Sequence, residues 1–394
     1  MDQISSKIRQ YARDAVMLRR AIHCKPELAR QEVFTTQFIK KKLTEYGIPL
    51  AQDIMLPSGA VAILEGDLPG KTLLLRADID ALPIQEASGL PFSSQHAGIC
   101  HCCGHDIHTA AMLLCARVLA EIRELLCGRV IFLFQPAEET GEGALSVLNS
   151  GLFERYKPDL VIGAHCWPDL PSGTIGLRTG GFMASADTFR LQVKGKGGHG
   201  AHPHKGIDPI VAASYLVTQL QTVVSRSVAP LDSAVISIGK FTAGTAANVI
   251  PNQAVLEGTI RTINNKTRSL VEQRMREIAS HCCEAMGAEC QMEYQRGIPA
   301  LICHSDAVNA LEAAAIKQLG HECVHYLEQP SMGSEDFAYY LEQVPGAMFR
   351  IGTASETPAS HLPLHNAGIL FDEQAIPTGA AVMCQLARDY LKNT

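Results

Sequence analysis

The chain has no long apolar run, no low-complexity tract and no dense block of lysine and arginine. The first absence argues against a membrane-spanning helix, and the second against an extended disordered region. The third, with a formal net charge of −6, argues against nucleic acid as the main ligand, because phosphate binding needs concentrated positive charge. A small-molecule partner is expected instead. Neither a G-x-S-x-G nucleophile elbow nor a P-loop occurs. The opening segment MDQISSKIRQYARDAVML is polar and amphipathic, without the basic start, apolar stretch and small-residue cleavage site of an export signal. A cytoplasmic protein is therefore the expectation.

Cysteine, by contrast, is plentiful. The thirteen cysteines include Cys115, Cys127 and Cys384 in apolar contexts and are not set at framework spacings, which predicts buried thiols or metal ligands rather than disulfides.

At 394 residues the chain exceeds what one growing core supports, so two domains are expected. The first part alternates helix and strand. Phe34, Phe38 and Tyr46 recur at helical spacing until Gly47 and Pro49, and strands are predicted at 60–64, 72–77, 130–134 and 160–164, with a helix over 109–126. That is an α/β pattern, and its polar clusters, Asp78 with Asp80, Glu138 with Glu139, and His165, fall at the carboxyl ends of strands, where such sheets bind ligands. From about Asp187 the order becomes strand, helix, strand, strand, helix, strand, which predicts an α+β unit of ferredoxin-like arrangement. Helix and strand alternation resumes after Ile298. The expected architecture is a mixed-sheet catalytic α/β domain over 1–184 and 298–394, interrupted by a lid over 185–297.

The densest chemical cluster is His101-Cys102-Cys103-Gly104-His105-Asp106-Ile107-His108. Alone, it fits a plain turn whose remaining residues cap the helix as well as it fits a chemical site. Thiolate and imidazole are nevertheless the usual ligands of a zinc-like ion, and a loop would let Cys103 and His105 turn toward one point, with Asp106 orienting a ligand from behind. In Gln135-Pro-Ala-Glu138-Glu139, adjacent carboxylates at a strand end call for a compensating cation or a proton. One can ligate while its neighbour accepts a proton from water. His165, after the apolar run Leu160 to Ala164, and His365, in His361-Leu-Pro-Leu-His365-Asn366, carry no weight singly. Gly195-Lys-Gly-Gly-His-Gly200 fits the dinucleotide pattern G-x-G-x-x-G, yet Pro203, Gly206 and Pro209 postpone the helix that the pattern requires.

Taken together these segments resemble the zinc-dependent aminoacylase and carboxypeptidase superfamily, in its branch of hippurate hydrolases and auxin amino-acid conjugate hydrolases. The similarity runs over nearly the whole chain. It rests on Arg76-Ala-Asp-Ile-Asp-Ala-Leu-Pro83, Cys103-Gly-His-Asp-Ile-His108, Gln135-Pro-Ala-Glu-Glu139, Gly-Ala-His165, Gly-Gly-His199-Gly-Ala-His-Pro-His204, Asn248-Val-Ile-Pro, Gly333-Ser-Glu-Asp-Phe and Leu-His365-Asn.

The resemblance implies a metal-dependent hydrolase of N-acyl-amino acids holding two divalent ions, zinc or manganese first, cobalt or nickel as alternatives. Cys103 would bridge them, with His105 and His165 completing one position and Glu139 and His365 the other. Glu138 would be the general base, and Asp80 the carboxylate that orients a ligating histidine. It further implies a homodimer or higher oligomer formed through the lid, with His199 reaching the partner's site to stabilise the oxyanion and Asn248 and Arg261 holding the substrate carboxylate. A dipeptidase or carboxypeptidase of the same superfamily, an inert ligand-binding homologue and catalysis by a Cys103 nucleophile are the competing readings. Two positions depart from the family pattern: Lys25 stands where a second histidine is common, and Cys102 replaces the alanine usual before the metal cysteine.

Overall fold

A computed structural model describes residues 2–392. The described residues divide into two compact units, one of residues 2–180, 303–329 and 339–392, the other of 181–302 with 330–338.

The first unit is built on seven strands: β1 (Ala60–Glu65), β2 (Leu68–Asp78), β3 (Cys127–Gln135), β4 (Leu160–Pro171), β5 (Ile175–Leu177), β6 (Val324–Tyr326) and β7 (Gly346–Ala354). They lie in the order β1-β3-β2-β4-β7-β5-β6. The sheet is mixed: β1 runs antiparallel to β3, whereas β3, β2, β4 and β7 are mutually parallel. The central strands are apolar on both faces, as covered parallel strands must be. Leu73, Leu74 and Leu75 of β2 are each fully buried, and each such side chain stabilises the fold by about 1.5–3 kcal/mol.

Five long helices belong to this unit: α1 (Gln3–His23), α2 (Val33–Glu45), α3 (His105–Glu121), α4 (Ser305–Leu319) and α5 (Ala375–Tyr390). Helix α3 is buried all round from His105 to Ala116 and packs against α1, α5, β2 and β4, which makes it the central pillar rather than a surface helix. It begins four residues earlier than its apolar run predicts. His105, Asp106 and His108 are consequently helical, and only Gly104 and the residues before it remain in the loop.

The second unit has four antiparallel strands, Asp187–Lys194, Ala234–Ala243, Gln253–Thr262 and Glu289–Gln295, with helices Pro209–Thr222 and Asn265–Glu284. In spatial order the strands run fourth, first, third, second. This is the ferredoxin-like arrangement expected from the strand and helix order. Leu191, Val193, Leu216, Leu220, Leu256 and Met275 form its core. Asp208 caps the first helix by accepting from the Ile210 and Val211 amides, and Asn264 caps the second through Thr267. The chain enters and leaves this body side by side, since the Ala186 amide donates to Ile298 O at 2.9 Å.

All thirteen cysteines are free thiols. No helix among the described residues is long and apolar enough to cross a membrane.

Candidate metal centre

Four segments bring their side chains to one point: the loop that leads into α3, the turn after β3, the middle of β4 and the stretch around His365. Gly104, with φ +89°, turns the chain from Cys103 into α3, and a Cβ there would meet the Cys166 Sγ at 2.9 Å, so glycine is required. After β3, Ala137 adopts a left-handed φ of 55° and the Gly143 amide returns to Ala137 O, closing the turn that presents Glu138 and Glu139. Buried Glu32 braces this turn, accepting from the Ala137 amide at 2.9 Å and from the Ser58 hydroxyl at 2.6 Å. His165 lies within β4, which continues past Ala164 to Pro171. His365, also left-handed at φ 67°, is tied to the Cys103 loop by its amide, which donates to Cys102 O at 2.9 Å.

The Cys103 Sγ stands 3.5 Å from His165 Nε2 and 3.3 Å from His365 Nε2. The Glu139 Oε1 lies 3.8 Å from His105 Nε2 and 3.5 Å from His365 Nε2. Two donor triads result, Cys103 with His105 and His165, and Cys103 with Glu139 and His365, and within each the ligand atoms lie no more than 4.8 Å apart. The thiol belongs to both. Glu138 is grouped with His105 and Glu139 by the same distance.

Hydrogen bonds set which nitrogen faces inward. His105 Nδ1 donates to the backbone oxygen of Asp80 at 2.9 Å, and His165 Nδ1 donates to Cys166 O at 2.8 Å, which leaves both Nε2 lone pairs for the centre. The Asp80 carboxylate lies 3.3 Å from His105 Nδ1, and its other oxygen accepts from the Glu139 amide at 3.0 Å. Asp80 thus connects two predicted ligands, steering the imidazole chiefly through its main chain. Asp106 does not orient a ligand: its carboxylate accepts from Arg19 Nε at 2.5 Å and His23 Nδ1 at 2.8 Å, because the first turn of α3 points it toward α1.

The buried atoms His105 Nε2 and Glu139 Oε1 have no hydrogen-bond partner. Burial and then the carboxylates of Glu139, Glu138 and Asp78 push the Cys103 thiol well up, and burial raises the Glu139 carboxyl as well. Burial by itself lowers His105, but Asp78, Asp80 and Glu139 overcome it and push the imidazole up to about 10. His165 is held well below the ordinary range by burial and by neighbouring His108. The pocket is thus rich in acceptors and short of positive charge, and its sulfur, nitrogen and carboxylate donors fit divalent cations of the zinc type.

Arg76, Asp78 and His108, which stand in the sequence motifs without a role of their own, are fixed beside this pocket. Arg76 Nη1 donates to Asp78 at 2.6 Å, and His108 Nδ1 donates to the other Asp78 oxygen at 2.5 Å. Arg76 and Asp78 alternate on one strand face and His105 and His108 are one helical turn apart, so both spacings carried a signal.

The other three predicted residues, His199, Asn248 and Arg261, belong to the second unit. His199 and Asn248 are exposed neighbours: His199 pairs with Val249, and the Gly200 amide donates to Asn248 O at 2.9 Å. Arg261 Nη1 donates to the Ser334 hydroxyl at 3.0 Å. The glycine-rich segment leads through Pro203–Lys205 to a helix that starts only at Pro209, not to a dinucleotide turn.

A mixed α/β unit that gathers sulfur, nitrogen and carboxylate donors in one pocket, together with a ferredoxin-like insert, defines a two-domain α/β protein with a site of metal-binding chemistry. The chain belongs to peptidase family M20/M25/M40, whose profile matches residues 74–389. It is 41% identical over 374 residues to the N-acetyl-L-cysteine deacetylase of Bacillus subtilis, covering 95% of this chain and 87% of the relative. With the hippurate hydrolase of Campylobacter jejuni it shares 36% identity over 375 residues, 95% of this chain and 96% of that one. Among solved structures, a dinuclear metal binding peptidase of the M20 family from Bacillus subtilis matches with a TM-score of 0.87 and 36% identity, covering 98% of this chain and 99% of the other.

Proposed function

We propose that this chain hydrolyses the amide bond of N-acyl-amino acids at a centre of two divalent cations, releasing a carboxylic acid and a free amino acid. The observation that carries the reading is the Cys103 thiol common to two donor triads, with unpartnered His105 Nε2 and Glu139 Oε1 beside it. Cys103, His105 and His165 would hold one ion, and Cys103, Glu139 and His365 the other. Zinc suits this mixture of thiolate, imidazole and carboxylate, with manganese next and cobalt or nickel as alternatives. Bound cations would polarise the scissile carbonyl and acidify water.

Glu138, buried in the turn after β3, would take the proton of the attacking water and return it to the leaving nitrogen. Asp80 would keep His105 and the Glu139 backbone in register. His199 would donate to the oxyanion, and Asn248 and Arg261 would bind the substrate carboxylate, a task suited to the guanidinium fork.

The second unit would serve as lid and dimerisation domain. Ile210, Val211 and Tyr215 are exposed on its first helix and Val235 and Phe241 on its edge strand Ala234–Ala243, an apolar surface of the kind a homodimer covers. The thirteen free thiols fit a reducing compartment, the cytoplasm. The names of the relatives favour acyl groups from acetyl to benzoyl.

The test is turnover of N-acetyl and N-benzoyl amino acids, with dipeptides as the peptidase control, before and after metal removal. Chelation should abolish hydrolysis and added zinc or manganese restore it. Full turnover by the metal-free chain would instead point to a Cys103 nucleophile and defeat the proposal.

A further inference from the structure

The pairing of β4 with β2 ends at Gly163, two residues short of His165. Just beyond, the Cys166 peptide is gripped by two histidines. Its amide donates to His108 Nε2 at 2.8 Å, and its carbonyl accepts from His165 Nδ1 at 2.8 Å. Since Nε2 of His108 is an acceptor, its proton sits on Nδ1, and that proton is given to Asp78 Oδ1 at 2.5 Å. Asp78 is in turn fixed through its other oxygen by Arg76 Nη1 at 2.6 Å. Arg76, Asp78 and His108 are all buried, and none of the three is among the predicted ligands. The His108 ring also packs edge-on against His165, with centroids 4.9 Å apart. A rigid chain therefore runs from β2 through α3 to the backbone that aims the His165 Nε2 at Cys103.

We infer that Asp78 and His108 form a positioning pair that fixes the donor atom of His165, and so governs the cation position completed by His105 and His165 but not the one completed by Glu139 and His365. The inference rests on the two-cation reading above. Both nitrogens of His108 are engaged, so it acts through the Cys166 peptide and not as a ligand. His365 is held by other contacts: its amide donates to Cys102 O and its Nε2 faces Cys103 and Glu139. The two positions should therefore respond differently to one substitution.

The test is a cobalt titration of the full metal-free chain, followed by calorimetry and by thiolate-to-cobalt absorption. Wild type should bind two ions. His108→Phe keeps the ring and removes both nitrogens; it should hold one ion as the wild type does and the second at least about tenfold more weakly, the scale seen when groups behind a ligand are lost. Its one-ion spectrum should match that of His165→Ala and differ from that of His365→Ala. His108→Gln, whose amide can accept from Cys166 and donate to Asp78, should recover the second ion. Unchanged affinity for both ions in His108→Phe, or equal weakening of both, would overturn the inference. Should His108→Phe not fold, Asp78→Asn takes its place with the same site-selective loss expected, and wild-type affinity for both ions would again overturn it. A wild type that binds no cobalt brings down the two-cation reading and this inference with it, an outcome visible before any variant is made.

Discussion

The interiors of the two units are organised on opposite terms. In the insert, the buried carboxylate of Asp187 accepts from Arg268 Nε at 2.9 Å and Nη2 at 2.5 Å, from the Tyr294 hydroxyl at 2.7 Å and from the Gly297 amide at 3.0 Å. Those four donors match the acceptor capacity of a carboxylate. In the first unit, buried acceptors crowd around Cys103, two of the inward-facing donor atoms lack partners, and Ala137 and His365 at the site hold left-handed backbone. A satisfied buried charge serves the fold. A cluster left unsatisfied at stability's expense marks the place where chemistry is done.

If that contrast holds, substitutions should separate turnover from stability in one unit and join them in the other. The largest effect is expected from Glu138→Gln: kcat on an N-acyl amino acid should fall by about 10²–10⁴, while metal content and melting temperature stay at wild-type values. Retained turnover with both ions present would remove Glu138 from the role of base.

In the insert the effect should reverse. Arg268→Ala leaves Asp187 buried without its cation, which should cost about 3–5 kcal/mol. Hydrogen exchange of the strand Asp187–Lys194 would register this as lost protection, and protection at the wild-type level would refute it.

A pH effect comes next, in the metal-free chain. Burial lowers the His101 imidazole to about 4 from 6.5, so the unfolded ring binds a proton at higher pH than the folded one does. Stability is then full above about 6.5 and falls as the pH drops toward 4, by at most about 3 kcal/mol. His23 works the other way: burial lowers it, but Asp106 and Glu86 raise it further, so its contribution is present below its unfolded pKa and lost as the pH rises. Denaturant titrations of His101→Asn against wild type between pH 4 and 7 isolate the first effect, and parallel curves would contradict it. The smallest change is expected from Ala137→Gly, which relieves the left-handed turn and should stabilise by no more than about 1 kcal/mol with no gain in kcat. A clear loss of stability would show that the turn is not strained.

What could be read from sequence follows from the range over which each signal acts. The buried strands and the insert's alternation were legible because apolar periodicity is local. Cys103, His105 and Glu139 were legible because each stands in a short local cluster of ionisable residues, His101 to His108 in one case and Glu138 with Glu139 in the other. His165 and His365 were not, taken singly, because each meets the thiol across a long stretch of chain, 62 residues in one case and 262 in the other. The start of α3 was misread for a related reason: its first turn is polar, so the apolar run begins only after the residues that matter. Asp106 was assigned to the wrong neighbour because Arg19, 87 residues earlier, has no local mark to announce it.

The hydrogen bond between Ala186 and Ile298 has a consequence for how such a chain could be assembled and altered. Its two ends are brought together by this peptide-to-peptide contact, so the host sees the whole insert as a tight loop and bears little of the closure entropy that a long excursion would impose. A segment whose ends are tied together in this way can be exchanged, shortened or refashioned without re-registering the seven strands of the other unit.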